Sequence, residues 1–227
     1  MKKNSTSRSW LLPVCGSLPL LLLSSAPAYA HDVVRDLESM SAGATAGLYL
    51  KLGYRHILPL GWDHILFVLS LFLLSNRLKP VLWQSLAFTV AHSVTLGLAM
   101  YQVFRVPASI VEPLIALSIL YVALENVFVK RLRPSRIGVV FLFGLIHGLG
   151  FASALKDLGL PPGSFFSSLI LFNVGVELGQ LTVILVAYLL LMKTFGQKPW
   201  YRQRIVIPFS LLIAAVAGWL VIQRISG

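Results

Sequence analysis

Cysteine is almost absent from this sequence, and acidic side chains are few. The only cysteine among the 227 residues is Cys15, close to the N-terminus. A chain that loses this segment has no thiolate for a soft-metal site, no disulfide and no cysteine nucleophile. Eight acidic residues stand against nineteen lysines and arginines, and charged residues make up only 12% of the chain. Any site chemistry must therefore come from imidazole, carboxylate, amide and hydroxyl groups.

Apolar residues, in contrast, are abundant and occur in long runs. They make up 57% of the sequence, and the mean hydropathy of +0.81 is far above that of soluble globular domains. A net charge of +11 in a soluble protein would indicate nucleic-acid binding. Here the basic residues fall in short loops between apolar runs, a pattern typical of membrane topology. We therefore expect the lipid bilayer as a partner, and no nucleic acid.

The first 30 residues have the pattern of a signal peptide. Basic side chains precede an apolar stretch over residues 10–23, and Ala28-Tyr29-Ala30 is a small-x-small cleavage site. Cleavage after Ala30 makes His31 the first residue of the mature chain. Its amine and imidazole together would chelate a divalent metal; the alternative is a polar residue that merely follows a processing site.

The remaining chain is predicted to be an all-α bundle of about six transmembrane helices over residues 56–227. Residues 31–55 mix charged and small side chains, which predicts a short periplasmic segment, partly helical, at the membrane interface. Each apolar stretch has about the 20 residues that a bilayer requires. The stretches lie at about 57–76, 81–104, 107–129, 137–157, 164–192 and 205–223.

The distribution of lysine and arginine predicts the orientation of these spans. The loops after spans one, three and five hold ten of these residues, whereas the loops after spans two and four and the C-terminal tail hold three. Positive loops stay in the cytoplasm. We therefore expect a multi-pass protein of a bacterial inner membrane with both ends of the mature chain in the periplasm.

Histidines and carboxylates recur inside these apolar spans. Each ionisable group placed in hydrocarbon costs about 3 kcal/mol by insertion scales, so such residues normally face a polar interior and mark a path for an ion or substrate. Imidazole and carboxylate suit divalent nickel, cobalt or zinc. We therefore predict one shared metal site, open toward the periplasm, formed by Asp63, His64, His92, His147 and Glu177.

Several further residues are predicted to assist this site. Glu112 lies near the outer end of the third span, where it would gather cations. Glu125 and Asn126 lie near the inner end of that span and would form an inner gate or exit site, unless Glu125 simply pairs with an arginine of the next loop. His56 lies at the outer boundary, where ligation and interfacial anchoring fit equally well.

Helical spacing places other polar groups beside the same site. Asn173, Glu177 and Gln180 follow an i, i+4, i+7 pattern, and a second stripe with this spacing ends at His92. Such stripes would be misplaced against lipid. Asn173 and Gln180 are therefore predicted to face the interior with Glu177.

These residues carry a resemblance to the HupE/UreJ family of bacterial membrane proteins. It extends from about Gly53 to Tyr188, and its members are implicated in nickel supply to hydrogenase and urease. Six residues separate His56 from Asp63, more than in the nickel-permease branch, which implies a divergent second branch. The matching stretches are HILPLGWDHILFVLSLFLL (56–74), FTVAHSVTLGLA (88–99), EPLIALSILYVALEN (112–126), FGLIHGLGFA (143–152) and FNVGVELGQ (172–180).

Three functions fit the sequence. The first is a permease with a divalent metal ion as its substrate; since no G-x-x-x-x-G-K-[ST] motif is present, membrane potential or proton coupling would drive it. The second is an intramembrane zinc hydrolase that uses His64, His92 and His147, with Ser93 as an accessory group. The third is a non-transporting accessory subunit, whose partners would be metalloenzyme maturation proteins or further copies of the chain.

Overall fold

A computed structural model describes residues 40–75, 77–103, 105–158 and 164–226, with side chains at all of these except 153, 154 and 156–158. All regular structure in these ranges is helical. The predicted all-α bundle is therefore confirmed. The predicted signal peptide and His31 lie outside the described residues.

Seven helical segments make up this part of the chain. Within α6 a π-helical turn occurs at Tyr188–Met192, and α7 begins with another at Arg202–Val206. The helices are α1 (Ala42–Ile57), α2 (Trp62–Leu74), α3 (Leu78–Met100), α4 (Ala108–Phe128), α5 (Arg136–Leu158), α6 (Phe165–Phe195) and α7 (Arg202–Ser226).

These helices match the predicted spans unequally. In the described ranges, α3, α4, α6 and α7 are each long and apolar enough to cross a membrane. Helices α1 and α2 are long and apolar enough to cross a membrane only as a pair. They are bent by 68° at the break between them and form a broken span or a re-entrant loop. The apolar part of α5, Arg136–Ala152, is shorter. About six predicted spans thus become four clear spans, one broken pair and one shorter helix. The predicted first span, 57–76, changes most, because α2 begins only at Trp62.

Helix α1 packs along α6 at backbone distance. A Cβ atom on Gly53 would overlap the carbonyl group of Phe172, and one on Gly175 would overlap the carbonyl oxygen of Leu50. Only glycine permits this approach, which brings two helices together without intervening side chains. Most of α1 lies in the segment predicted to be interfacial, yet its Tyr49 side chain is fully buried.

Two further helix pairs complete the bundle around α2. Helices α3 and α5 run parallel, with Gly148 directly against the carbonyl group of His92. Helices α4 and α7 run antiparallel, since Asn126 meets Ser210 at one end and Arg224 meets Glu112 at the other. Helix α2 contacts α1, α3, α4, α6 and α7. The histidine-bearing faces of α1, α2, α3 and α5 therefore converge.

Candidate metal centre

Three imidazoles meet at the break between α1 and α2. His56 lies in the last turn of α1 and His64 in the first turn of α2, and their ring centroids are 4.6 Å apart. The ring of His92, from the middle of α3, lies 5.9 Å from His56 and 5.8 Å from His64. One nitrogen of each ring lies within 4.8 Å of the others. We call these residues the histidine cluster.

The spacing of the histidine cluster is close to that of a metal site. Two nitrogens bound to one ion at about 2.1 Å are at most about 4.2 Å apart. Ligand atoms within 4.8 Å of one another therefore need only small ring movements to share an ion. Three imidazoles form a donor set suited to divalent nickel, cobalt or zinc.

A fourth imidazole, that of His147 on α5, borders the cluster. Its ring centroid is 5.1 Å from that of His64, and its Nε2 atom is 2.9 Å from the hydroxyl of Ser118. The Ser118 hydroxyl donates its proton to the carbonyl oxygen of Ile115 at 2.7 Å, so it accepts a proton from His147 Nε2. The lone pair of His147 is therefore on Nδ1.

The same reasoning gives the tautomer of His92. The side-chain amide of Asn173 donates to the carbonyl oxygen of Leu169 at 2.8 Å, so its oxygen faces His92 Nδ1, at 3.2 Å. His92 Nδ1 is then the donor, and the lone pair is on Nε2. A partner that holds one imidazole nitrogen and leaves the other for an ion is a regular feature of metal sites.

Four imidazole nitrogens in this region are buried and lack a hydrogen-bond partner. Leaving one buried polar atom unpaired costs about 1–3 kcal/mol, so four in one place require an explanation. One explanation is a bound cation, which would be coordinated directly by the lone pairs of these nitrogens. The atoms are Nε2 of His56, His64 and His92, and Nδ1 of His147.

Aromatic rings surround the imidazoles. Phe151 lies 4.0 Å from His56 between ring centroids, and Phe88 lies 4.9 Å from His147. On the side toward the loop after α2, Phe67 is fully buried and lies 5.1 Å from His147. The packed core continues from there with Leu71, which is 1% exposed. The imidazoles thus have an apolar floor.

A cavity of about 790 Å³ leads to the histidines from the other side. His56, His64 and His147 line it, while Leu60 and Trp62, which are 62% and 70% exposed, mark its rim. The cavity therefore connects the imidazoles with the surroundings of the protein at the end of the bundle where α4 begins and α7 ends.

The carboxylates predicted to join this site have other partners. Asp63 accepts a hydrogen bond from the guanidinium of Arg224 at 2.7 Å, and Glu112 lies 4.0 Å from the same guanidinium. All three line the cavity. They form a charged group on its wall, and Asp63 belongs to this group although it precedes His64 in the chain.

Glu177 lies in a separate polar group between α3 and α6. Its two carboxylate oxygens accept hydrogen bonds from Ser85, at 3.2 Å, and Thr89, at 2.5 Å. Gln180 accepts from Ser85 at 2.8 Å and donates to Thr89 at 3.2 Å. The predicted stripe of Asn173, Glu177 and Gln180 thus faces α3, but only Asn173 has a recorded contact with a histidine.

Glu125 and Asn126 lie at the far end of the bundle. Glu125 pairs at 3.1 Å with Arg136, the first residue of α5, rather than with an arginine of the loop between α4 and α5. Asn126 is fully buried; it accepts from Arg136 at 3.2 Å and donates to the carbonyl oxygen of Ser70 at 2.8 Å. These contacts join α2, α4 and α5 on the side of the apolar floor away from the cavity.

Sequence reasoning placed some groups differently. His56 was predicted only as an accessory residue, because the break that turns its ring inward has no periodic signal. Ser93 donates to the Thr89 carbonyl oxygen of its own helix at 2.6 Å. Ser118 and Arg224 are not predicted from the sequence. The first is one serine among apolar residues, and the second is counted as a charge of the C-terminal tail.

Comparison with known proteins identifies the family of the chain. Residues 32–224 match the family model described as HupE / UreJ protein. No curated protein and no solved structure shows significant similarity to the chain. The matched range begins before α1 and ends in the last turn of α7. The chain therefore belongs to the HupE/UreJ family.

Proposed function

We propose that the chain is a membrane permease for a divalent transition-metal ion of the nickel, cobalt or zinc class. The family is associated with nickel or cobalt transport, or with urease and hydrogenase maturation. The observation that carries the proposal is the histidine cluster, whose three Nε2 atoms are buried and unpartnered. In this proposal the ion is the substrate, bound by His56, His64 and His92 with His147 beside them.

The broken helix supports this use of the cluster. Discontinuous transmembrane helices commonly form ion sites near the middle of the membrane. His56 lies at the C-terminal end of α1, where the helix dipole favours a cation. The end of α1 packs against Gly179, near the middle of α6, so the cluster lies well inside the bundle.

The cavity would be the entry path, on the side predicted to face the periplasm. Glu112, with 54% of its side chain exposed, would attract cations at the mouth. Asp63 is neutralised by Arg224, which keeps its affinity for an arriving ion modest. An ion of charge +2 moving inward would gain about 4.6 kcal/mol at 100 mV, twice the roughly 2.3 kcal/mol for one charge.

The hydrolase alternative needs a free carboxylate that activates water at the ion. Asp63 is paired with Arg224, and both oxygens of Glu177 accept hydrogen bonds from α3. Neither of the two carboxylates predicted to join the metal site is therefore free to activate water, and this favours ion binding over hydrolysis.

Metal uptake by proteoliposomes tests the proposal. The purified full-length chain is first titrated with Ni²⁺, Co²⁺ and Zn²⁺, and uptake of the metal that binds is measured with an inward-negative potential. We expect His64→Ala and His92→Ala to abolish both binding and uptake. Ser93→Ala is the matched control, because this hydroxyl follows His92 but bonds only within its own helix.

The other outcomes separate the alternatives. Stoichiometric binding that requires His64 and His92 but supports no uptake would contradict the permease and support a maturation subunit. Tightly held zinc with ester or peptide hydrolysis would support the hydrolase. Unchanged binding in both histidine variants would overturn the metal site itself.

A further inference from the structure

A second pocket lies at the opposite end of the bundle from the cavity. Its volume is about 710 Å³, and it is formed where the loops after α2, α4 and α6 meet. Its described lining contains five basic residues and no acidic one. They are Arg77, Lys130, Arg131, Lys198 and Arg202. We call this the basic pocket.

Among the described residues, no acidic side chain forms an ion pair with the basic residues of this pocket. The ion pairs recorded for the described residues involve Arg136 and Arg224, neither of which lines it. Glu125, at the same end of the bundle, is held by Arg136. Membrane topology accounts for basic residues in these three loops. It does not account for their convergence on one concave site, where like charges repel one another.

Hydrogen bonds fix the guanidinium of Arg202 and the backbone of Arg77. The guanidinium of Arg202 donates to the carbonyl oxygen of Val127 at 3.0 Å, which ties the start of α7 to the end of α4. The backbone N–H of Arg77 donates to the hydroxyl of Ser75 at 3.2 Å, and that hydroxyl donates to the carbonyl oxygen of Arg77 at 2.8 Å. Ser75 and Arg77 are therefore linked by two hydrogen bonds beside the pocket.

The pocket also contains a polar group without a partner. Tyr201 lines it and is 6% exposed, and its buried hydroxyl makes no recorded hydrogen bond. The π-helical turn of α7 begins at the next residue, Arg202. Turns of this kind are rare and often occur at functional sites. A hydroxyl without a partner, on a residue that lines the same pocket as five cations, would suit an anion that accepts several hydrogen bonds.

We propose that the basic pocket binds a phosphate group. Lysine and arginine are the usual partners of phosphate, with arginine donating through two parallel N–H groups. The phosphate would belong either to the headgroup of an anionic phospholipid or to free phosphate. Basic pockets between transmembrane helices bind such headgroups. This site is separate from the histidine cluster and does not depend on the proposed metal transport.

Two double variants with equal loss of charge test the proposal. Arg131→Gln with Lys198→Gln removes two exposed cations from the pocket. Arg133→Gln with Lys193→Gln removes two exposed cations that do not line the pocket, one from the loop after α4 and one from the end of α6. Retention of phosphatidylglycerol is measured by native mass spectrometry after exchange from nanodiscs of phosphatidylcholine and phosphatidylglycerol. In a second arm, thermal unfolding in detergent is followed during titration with inorganic phosphate.

We expect the wild type and the Arg133/Lys193 variant to bind equally. The Arg131/Lys198 variant should bind roughly 25-fold more weakly, at about fivefold for each cation. Tyr201→Phe is expected to weaken binding in the same direction. If the protein binds phosphatidylglycerol but is not stabilised by inorganic phosphate, the ligand is a lipid headgroup. If inorganic phosphate stabilises the protein and phosphatidylglycerol does not displace it, the ligand is free phosphate. Equal losses in the two double variants, or no binding by the wild type in either arm, would overturn the proposal. A melting temperature without phosphate that is unchanged in both double variants reports that they are folded.

Discussion

At the scale of single residues, two hydrogen-bond partners determine which ring nitrogen of His92 and of His147 carries the lone pair. Asn173 holds Nδ1 of His92 and Ser118 holds Nε2 of His147, so each ring presents its other nitrogen as a lone pair. The two rings present opposite nitrogens, because Asn173 accepts from Nδ1 of His92 whereas Ser118 accepts from Nε2 of His147. Such partners contribute to metal affinity although they do not touch the ion.

Replacement of Ser118 tests this assignment. Ser118→Ala removes the acceptor of the His147 proton and lets the ring change tautomer. Partners of this kind are worth about 10- to 100-fold in metal affinity, so we expect at least tenfold weaker binding in a calorimetric titration. Ser93→Ala, which removes a hydroxyl bonded within α3, should bind as the wild type does. Equal affinity of Ser118→Ala and wild type would contradict the tautomer.

At the scale of helices, the break between α1 and α2 determines the site. Apolar spacing predicts a helix that begins near residue 57, and this places His56 at a boundary. In the structure, His56 lies in the last turn of one helix and His64 in the first turn of the next, so the 68° bend brings the two rings together. Periodicity reports which residues share a face within one helix, but it contains no signal for how two short helices meet.

The contact between α1 and α6 gives a test at this scale. Gly53→Ala places a methyl group on the Phe172 carbonyl group and forces the helices apart, for which overpacking costs of about 1–3 kcal/mol are typical. We expect a lower unfolding temperature and weaker metal binding, because α1 carries His56. Gly43→Ala on the same helix is the control, since its added methyl group meets no atom within 4 Å. A similar melting temperature in both variants would contradict the backbone contact.

At the scale of the whole molecule, the polar groups divide into distinct sites along the bundle. Composition and the resemblance predicted the all-α bundle and brought the histidines into consideration. They did not predict that Asp63 and Glu177 would be bound by Arg224 and by α3. Both acids lie on helices that contact the histidine cluster. The rotation and pairing of the helices decide which side chains share a cavity, and the sequence pattern alone does not reveal this rotation or pairing.

The far end of the bundle is expected to stabilise the whole fold. Glu125→Gln leaves the guanidinium of Arg136, 2% exposed, without its counter-charge. Loss of one member of a buried pair commonly costs about 3 kcal/mol or more. We expect a clearly lower unfolding temperature in detergent. Glu112→Gln should change it little, because that carboxylate is exposed and 4.0 Å from its arginine. Similar melting of the two variants would show that the pair with Arg136 is dispensable.

For the proposed permease, the packed Phe67 and Leu71 side chains beyond the imidazoles have a kinetic consequence. An ion bound at the imidazoles must wait for these side chains to rearrange before it can move on. Flux through such a protein would saturate with concentration and proceed in discrete turnovers. Unlabelled metal on the far side would then accelerate the exchange of a radioactive isotope, a behaviour that an open pore does not show.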